Sequence, residues 1–328
     1  MKILVVFTGG TIGSSLKNGW ISNDSETNYL LINNYLNESE DKTTEFVTCS
    51  PYTILSENLT EKELNLLQKC VADNLNKDFD GIIITHGTDT LQYTAAALSY
   101  AFSDADIPIV LVSSDYPLSD VRANGGKNFE TAVKFINCGA ANGVFVSYKN
   151  SKDDVAAIHK ATRVSQYTEA TADLYSIDGE PFAFCGQNVM ANDEYKASDV
   201  SEGLGCIDFC GAPRILVIES RPGDNFAYSL EECQAVILRP YHSGTLNTDS
   251  KALKALCVEA KEKAIPVFAV NIRPGTSYES TKFYDELGLE ILPMCSFSAI
   301  YVKCWAAISL NKNVAEFVKN PIAEEFCV

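Results

Sequence analysis

Short apolar runs alternate with amphipathic stretches along most of the chain. Residues 2–7 place Ile3, Leu4, Val5, Val6 and Phe7 in an unbroken row that stops at Thr8-Gly9-Gly10. A row of that length closed by glycine predicts a buried strand. Residues 61–75 repeat their apolar positions at 64, 67, 71 and 75, which is helical spacing. Thr60 stands where an N-cap belongs, with Glu63 as its capping-box partner. Gly81-Ile82-Ile83-Ile84-Thr85 is a continuous apolar run, the pattern of a parallel strand covered on both faces. A helical stretch over 91–102 and another buried strand over 107–113 follow. Strand, turn, helix and strand in this order predict right-handed βαβ units and a parallel sheet.

The pattern lapses over 191–213, a polar, glycine-containing stretch without clear period, which reads as a linker. It resumes with strands over 214–218, 235–238 and 266–270, and with helices over 249–263, 278–287 and 298–309. The expected fold class is α/β. A larger N-terminal domain over 1–190 carries a mainly parallel sheet, and a smaller parallel α/β domain occupies 214–328. There is no internal repeat and no low-complexity tract.

Composition narrows the function. Apolar residues make up 46% of the 328 and charged residues 21%, which supports a sizeable core and excludes a disordered chain. A formal net charge of −17 repels phosphate backbones and anionic membranes, so neither nucleic acid nor membrane is an expected partner. The N-terminal apolar run is too short for a secretory signal and no stretch has membrane-spanning length, so a cytoplasmic location is expected. Eleven scattered cysteines then read as reduced thiols, most of them buried. Cys206 and Cys210 are the nearest pair, but with three histidines in the whole chain no metal site is expected. No phosphate loop or nucleotide fingerprint is present, and no cofactor is expected.

Two segments carry chemistry, and each follows a predicted strand, where parallel sheets bind ligands. The first is Thr8-Gly9-Gly10-Thr11-Ile12-Gly13; the second is Thr85-His86-Gly87-Thr88-Asp89-Thr90. Gly10 and Gly87 let the backbone approach a ligand closely. Either segment alone is also what a tight turn or a helix cap looks like. Two hydroxyl-rich turns at neighbouring strand ends are harder to dismiss, because a threonine nucleophile needs a base and an oxyanion site within reach.

On these motifs the chain resembles the bacterial-type L-asparaginase family. Weaker matches extend the resemblance over almost the whole chain: Ser56 within 54–60, Ser119-Asp120 with Asn124-Gly125, and Tyr241-His242-Ser243-Gly244-Thr245. The resemblance implies that Thr11 attacks the side-chain amide of asparagine, releases ammonia and forms an acyl-enzyme that water resolves to aspartate. Thr88 would sit opposite and position the water or share the acyl chemistry. Asp89 would bind the α-ammonium group and Ser56 the α-carboxylate.

Several family positions are altered. A family tyrosine on the loop after the first motif falls on Trp20, whose indole N–H cannot relay a proton as a phenol does. A family lysine near the second threonine falls on Arg163, which stays charged. Lys160, three residues earlier, is the other amine to consider, but on a strand it would face the opposite side. A glutamate that reaches a neighbouring subunit's site is Ser298 here, and Glu57 adds an acid after Ser56 that would favour an ammonium group. His86 either orients its turn or acts in catalysis; His159 and His242 are expected at a surface or interface.

Three functions therefore stand: an asparagine amidohydrolase, a related hydrolase with an altered amide substrate, and an amino-acid-binding protein with little turnover. The transfer-RNA amidotransferase branch of the family usually carries an extra N-terminal domain. Here the first motif begins at residue 8 and the chain is acidic, so that branch is not expected. The family builds its sites between subunits, which implies a homodimer or homotetramer acting on a small amino-acid amide.

Overall fold

The structure, a computed structural model, describes residues 1–17, 20–23, 25–166, 170–272, 275 and 277–327, with side chains throughout except at 15–17, 20–23 and 25–29. The chain opens with β1 (Lys2–Phe7), the hairpin of β2 (Ser14–Lys17) and β3 (Trp20–Asn23), α1 (Ser25–Glu38), β4 (Glu45–Cys49) and α2 (Glu61–Leu75). It continues through β5 (Gly81–Thr85), α3 (Leu91–Ala101), β6 (Pro108–Val112), α4 (Gly125–Cys138), β7 (Gly143–Tyr148) and β8 (Ala156–Lys160). Short strands β9 (Val164–Gln166), β10 (Leu174–Ser176), β11 (Ala183–Cys185) and β12 (Val189–Ala191) follow. Beyond them lie β13 (Ile215–Glu219), β14 (Ala235–Arg239), α5 (Lys251–Glu262), β15 (Val267–Ala269), β16 (Leu289–Ile291), α6 (Phe297–Ser309) and α7 (Val314–Lys319).

The large sheet runs β12-β11-β8-β7-β6-β5-β1-β4. Strands β4, β1, β5, β6 and β7 are parallel, while β8, β11 and β12 add on antiparallel. Every residue of β5 is buried, because its alternate side chains enter different layers: Ile82 and Ile84 meet α2 and α3, and Ile83 meets α1 and α4. The chain leaves β1 for β4 on one side and returns across it to β5 on the other. The C-terminal edge at β1 is thus a topological switch point, where open α/β sheets form their binding crevice.

The second sheet, β13-β14-β15-β16, is parallel throughout. Helix α5 covers one face with Leu253, Leu256 and Ala260, while Ile300 and Cys304 of α6 cover the other. The opposite side of α6 packs Ala299, Val302 and Ala306 against Ala96, Ala97 and Tyr100 of α3. A helix apolar on so many sides is one buried between layers, and α6 is the wall shared by the two sheets. The 191–213 stretch also packs: Gln68 holds the backbone of Ile207 through both amide atoms, at 2.9 and 3.0 Å, and Phe209 is buried.

The helix expected over 278–287 is instead a 3-10 turn, Glu279–Phe283. Thr281 Oγ1 donates to Tyr278 O at 2.8 Å and accepts from Tyr278 N at 3.1 Å, a local alternative to helical bonding.

Candidate active site

The two motif turns leave adjacent strands at one level, since Phe7 pairs with Thr85 in the β1–β5 register. A third segment joins them from β4, on the other side of β1. Ile54 N donates to Thr8 O at 3.1 Å and Gly10 N donates to Ile54 O at 3.0 Å, so the stretch carrying Ser56 is stitched to the first turn. Thr8 Oγ1 donates to Thr85 O at 2.6 Å and ties the first turn to the second.

The closest approach lies between glycines. A Cβ built on Gly10 would stand 2.3 Å from Gly87 N and 2.4 Å from Gly87 Cα; one built on Gly87 would stand 2.4 Å from Ser56 Oγ. The two turns therefore touch backbone to backbone, with the Ser56 hydroxyl against the second. Gly10 also has φ +76°, which a side chain would resist. Its carbonyl accepts from Gly13 N at 3.0 Å and Ser14 Oγ at 2.7 Å, fixing the short 3-10 turn Thr11–Gly13 that opens on half-buried Thr11.

On the second turn Thr88 is half-buried and Asp89 exposed. Ser56 Oγ donates to Asp89 Oδ2 at 3.4 Å, and Thr90 Oγ1 donates to Ser56 O at 2.9 Å. Ser56 is buried, while Glu57, next in the Ser56–Asn58 turn, is exposed. The Asp89 carboxylate thus lies against a buried hydroxyl, and Glu57 is the exposed neighbour of that hydroxyl in its turn. His86 serves the turn. Its Nδ1 lies 2.8 Å from Gly87 O, which can only accept, and its Nε2 lies 2.9 Å from Thr94 Oγ1. Complete burial pushes its pKa down to about 4 despite the bond to Gly87, so at neutral pH the ring donates from Nδ1 and accepts at Nε2.

Arg163 requires a correction. Its guanidinium is buried and all five N–H donors are engaged away from the motif turns: Nε with Glu324 O (2.8 Å), the two terminal nitrogens with Asp178 Oδ2 (3.2 Å), Lys196 O (2.9 Å), Ser198 Oγ (3.0 Å) and Phe326 O (3.4 Å). It holds the C-terminal tail. Lys160 is likewise occupied, 3.1 Å from Glu324. Gln166, three residues beyond Arg163 at the end of β9, is linked to the second turn through Gln92 of α3. Its Oε1 accepts from Gln92 Nε2 at 3.4 Å, and the same nitrogen lies 3.3 Å from Asp89 O.

Ser298 is buried in the first turn of α6, 3.3 Å from Ser296 Oγ, which donates to Thr162 O at 2.9 Å; this places it within its own chain. Trp20 opens β3, and its side chain lies outside the described residues. His159 is buried rather than superficial, with Nδ1 2.9 Å from Ser176 Oγ, whereas His242 is exposed. Of the weaker matches, Asn124 Nδ2 donates to Lys149 O, Asp120 pairs with Arg122 at the surface, and the 241–245 turn belongs to the small sheet, with Tyr284 Oη bonded to Gly244 O. A cleft of about 500 Å³ lined by Gln234, Cys257, Ile265 and Asn313 lies on the small sheet, away from the motif turns. Among the described residues no helix is long and apolar enough to cross a membrane.

Comparison with known proteins bears on the family and the fold. A family model described as "Asparaginase, N-terminal" matches residues 2–195. One component of the glutamyl-tRNA(Gln) amidotransferase of Pyrobaculum aerophilum is 37% identical over 133 residues, 39% of this chain and 31% of that protein. Its counterpart from Methanosarcina barkeri is 30% identical over 195 residues, 57% of this chain and 44% of that one. The chain spans less than half the length of these curated relatives. Two solved structures superpose over all of this chain with TM-score 0.82: the thermostable L-asparaginase of Thermococcus kodakarensis, 22% identical and covered in full, and L-asparaginase I of Vibrio cholerae, 21% identical and covered to 99%.

Proposed function

The chain belongs to the asparaginase family, and on that premise we propose that it hydrolyses the side-chain amide of asparagine or a close relative through an acyl-enzyme on Thr11. The observation that carries the reading is the backbone contact of Gly10 with Gly87, which sets the residues after them, Thr11 and Thr88, on touching turns. In this reading Thr11 Oγ1 attacks the amide carbon, the C–N bond breaks as ammonia leaves, and an ester forms. Water held by Thr88 then cleaves the ester and frees the carboxylate product. Asp89 takes the substrate's ammonium group and Ser56 its carboxylate, the zwitterion being matched by one fixed anion and one hydroxyl. Glu57 strengthens the preference for a cation.

The weak point of this machinery is proton transfer from Thr11. His86 uses both ring nitrogens, Gln166 has no titratable group, and Trp20 has no phenol. A positioned general base contributes roughly 10²–10⁴-fold, so the expected turnover of plain asparagine is slow. The same changes support the second reading, a hydrolase tuned to another amide. The amidotransferase relatives add the glutamine amide to the candidates.

The test is ammonia release from asparagine, glutamine and their D-isomers, by the wild type and by Thr11→Val. Release from at least one amide, lost by about 10³-fold or more in Thr11→Val, is the expected result. Tight aspartate binding in a thermal-shift titration with no ammonia from any amide would sink the hydrolase and favour a binding protein.

A further inference from the structure

Five of the eleven cysteines are buried (185, 257, 295, 304 and 327) and three are exposed (138, 206 and 210). Cys49 and Cys70 differ from all of these. Cys49 ends the edge strand β4, Cys70 lies in α2 above it, and their sulfurs are 3.3 Å apart. Among the described residues no other two cysteine sulfurs are in hydrogen-bonding contact. Both side chains are partly exposed, so a small oxidant can reach them. We propose that this pair is a modification site, at which a hydroperoxide converts the touching thiols into a disulfide that ties β4 to α2.

The two thiols are in hydrogen-bonding contact before any oxidant arrives. Either thiol can donate to the other; the hydrogen bond between them lowers the pKa of Cys70 and raises that of Cys49, and Lys77 adds a nearby positive charge. Either sulfur can open the reaction, and in one order of events Cys70 does so. Its thiolate attacks one oxygen of hydrogen peroxide, the O–O bond breaks, and the departing hydroxide takes up a proton as water, leaving a sulfenic acid on Cys70. The Cys49 sulfur then attacks the Cys70 sulfur, the S–O bond breaks, and the second oxygen leaves as water. Two thiols give up two electrons and two protons, and one peroxide becomes two waters.

The bond would act on the segment between the two cysteines. That segment leaves β4 at Cys49, crosses to the first turn through Ser50 Oγ to Phe7 O (3.0 Å) and the Ile54 contacts, presents Ser56, and enters α2 at the Thr60 cap. A disulfide closes it into a ring. Its formation is read by mass and does not depend on the amidohydrolase reading.

The experiment treats the full chain with hydrogen peroxide, alkylates the remaining thiols, digests the protein and maps the products by mass spectrometry. The expected product is a Cys49–Cys70 cross-linked peptide about 2 Da lighter than its two halves, removed by a thiol reductant. The wild-type melting midpoint should rise on oxidation and fall back on reduction, while Cys49→Ser and Cys70→Ser show neither change. If a serine variant fails to fold, the wild-type map still decides. Peroxide-treated protein with both thiols alkylated, with either carried to sulfinic acid, or with either bridged to Cys138, Cys206 or Cys210 overturns the proposal.

Discussion

Gly10 and Gly87 leave no room for a methyl group where their turns meet. In Gly87→Ala the new Cβ would lie 2.4 Å from the Ser56 hydroxyl, and in Gly10→Ala it would strike the Gly87 backbone. Overpacking costs about 1–3 kcal/mol, and Gly10→Ala adds the strain of a positive φ. Urea unfolding should show the larger loss for Gly10→Ala, and amidohydrolase activity should fall in both. Gln166 gives the opposite kind of prediction. It stands beside Asp89 through Gln92, where a lysine would bring a titratable amine. Gln166→Lys is expected to raise kcat for asparagine by about 10-fold or more, measured as ammonia release; an unchanged rate would put the missing proton relay elsewhere. Thr11, Thr88 and Asp89 were legible in the sequence because hydroxyls and a carboxylate after glycine turns at strand ends form a local pattern. Gln166 was not. It follows a break between β8 and β9, and a strand of three residues has too little periodicity to show which of its residues faces the second turn.

A buried charge pair joins helix α6 to the tail that follows it. Lys303 and Glu325 are in contact with both side chains fully buried. Burial lowers the lysine's pKa and the adjacent carboxylate opposes that shift. Glu325 also accepts from Ile322 N at 3.1 Å and Ala323 N at 2.7 Å, folding the tail back on itself. Lys303→Met should cost about 3–5 kcal/mol in urea unfolding, because it leaves a buried carboxylate without its cation. A much smaller loss would mean that the backbone donors satisfy Glu325 alone. The elements legible in the sequence were those with long, unmixed signals. Strands β1 and β5 are continuous apolar runs, and α2 has its period, its Thr60 cap and its Glu63 partner in place. Helix α4 was not legible, because it opens on Gly125-Gly126, which normally mark a turn. Strands β9 to β12 have three residues each, and tertiary pairing defines them.

For the whole molecule, two buried histidines set an acid limit. Desolvation lowers the pKa values of His86 and His159 from 6.5 to about 4, against small opposing contributions from a bond to Gly87 and from Asp178 respectively. Between those values the unfolded chain binds protons that the folded chain refuses. Stability is therefore full above about pH 6.5 and is lost as pH falls toward 4, by at most about 3 kcal/mol per histidine. Urea midpoints should drop between about pH 7 and pH 5, and His159→Gln should flatten that slope. An unaltered slope in the variant would exclude His159 as a source. By itself the sequence determined the α/β class, the parallel core strands and the two hydroxyl-bearing turns, because strand periodicity and glycine turn chemistry act over a few neighbouring residues. Only the tertiary structure decided that Arg163 holds the tail, that Gln166 is linked to the second turn through Gln92, and that Cys49 touches Cys70. Those outcomes depend on which residues far apart in the chain compete for the same space and the same hydrogen-bond acceptors, and no local pattern encodes that competition.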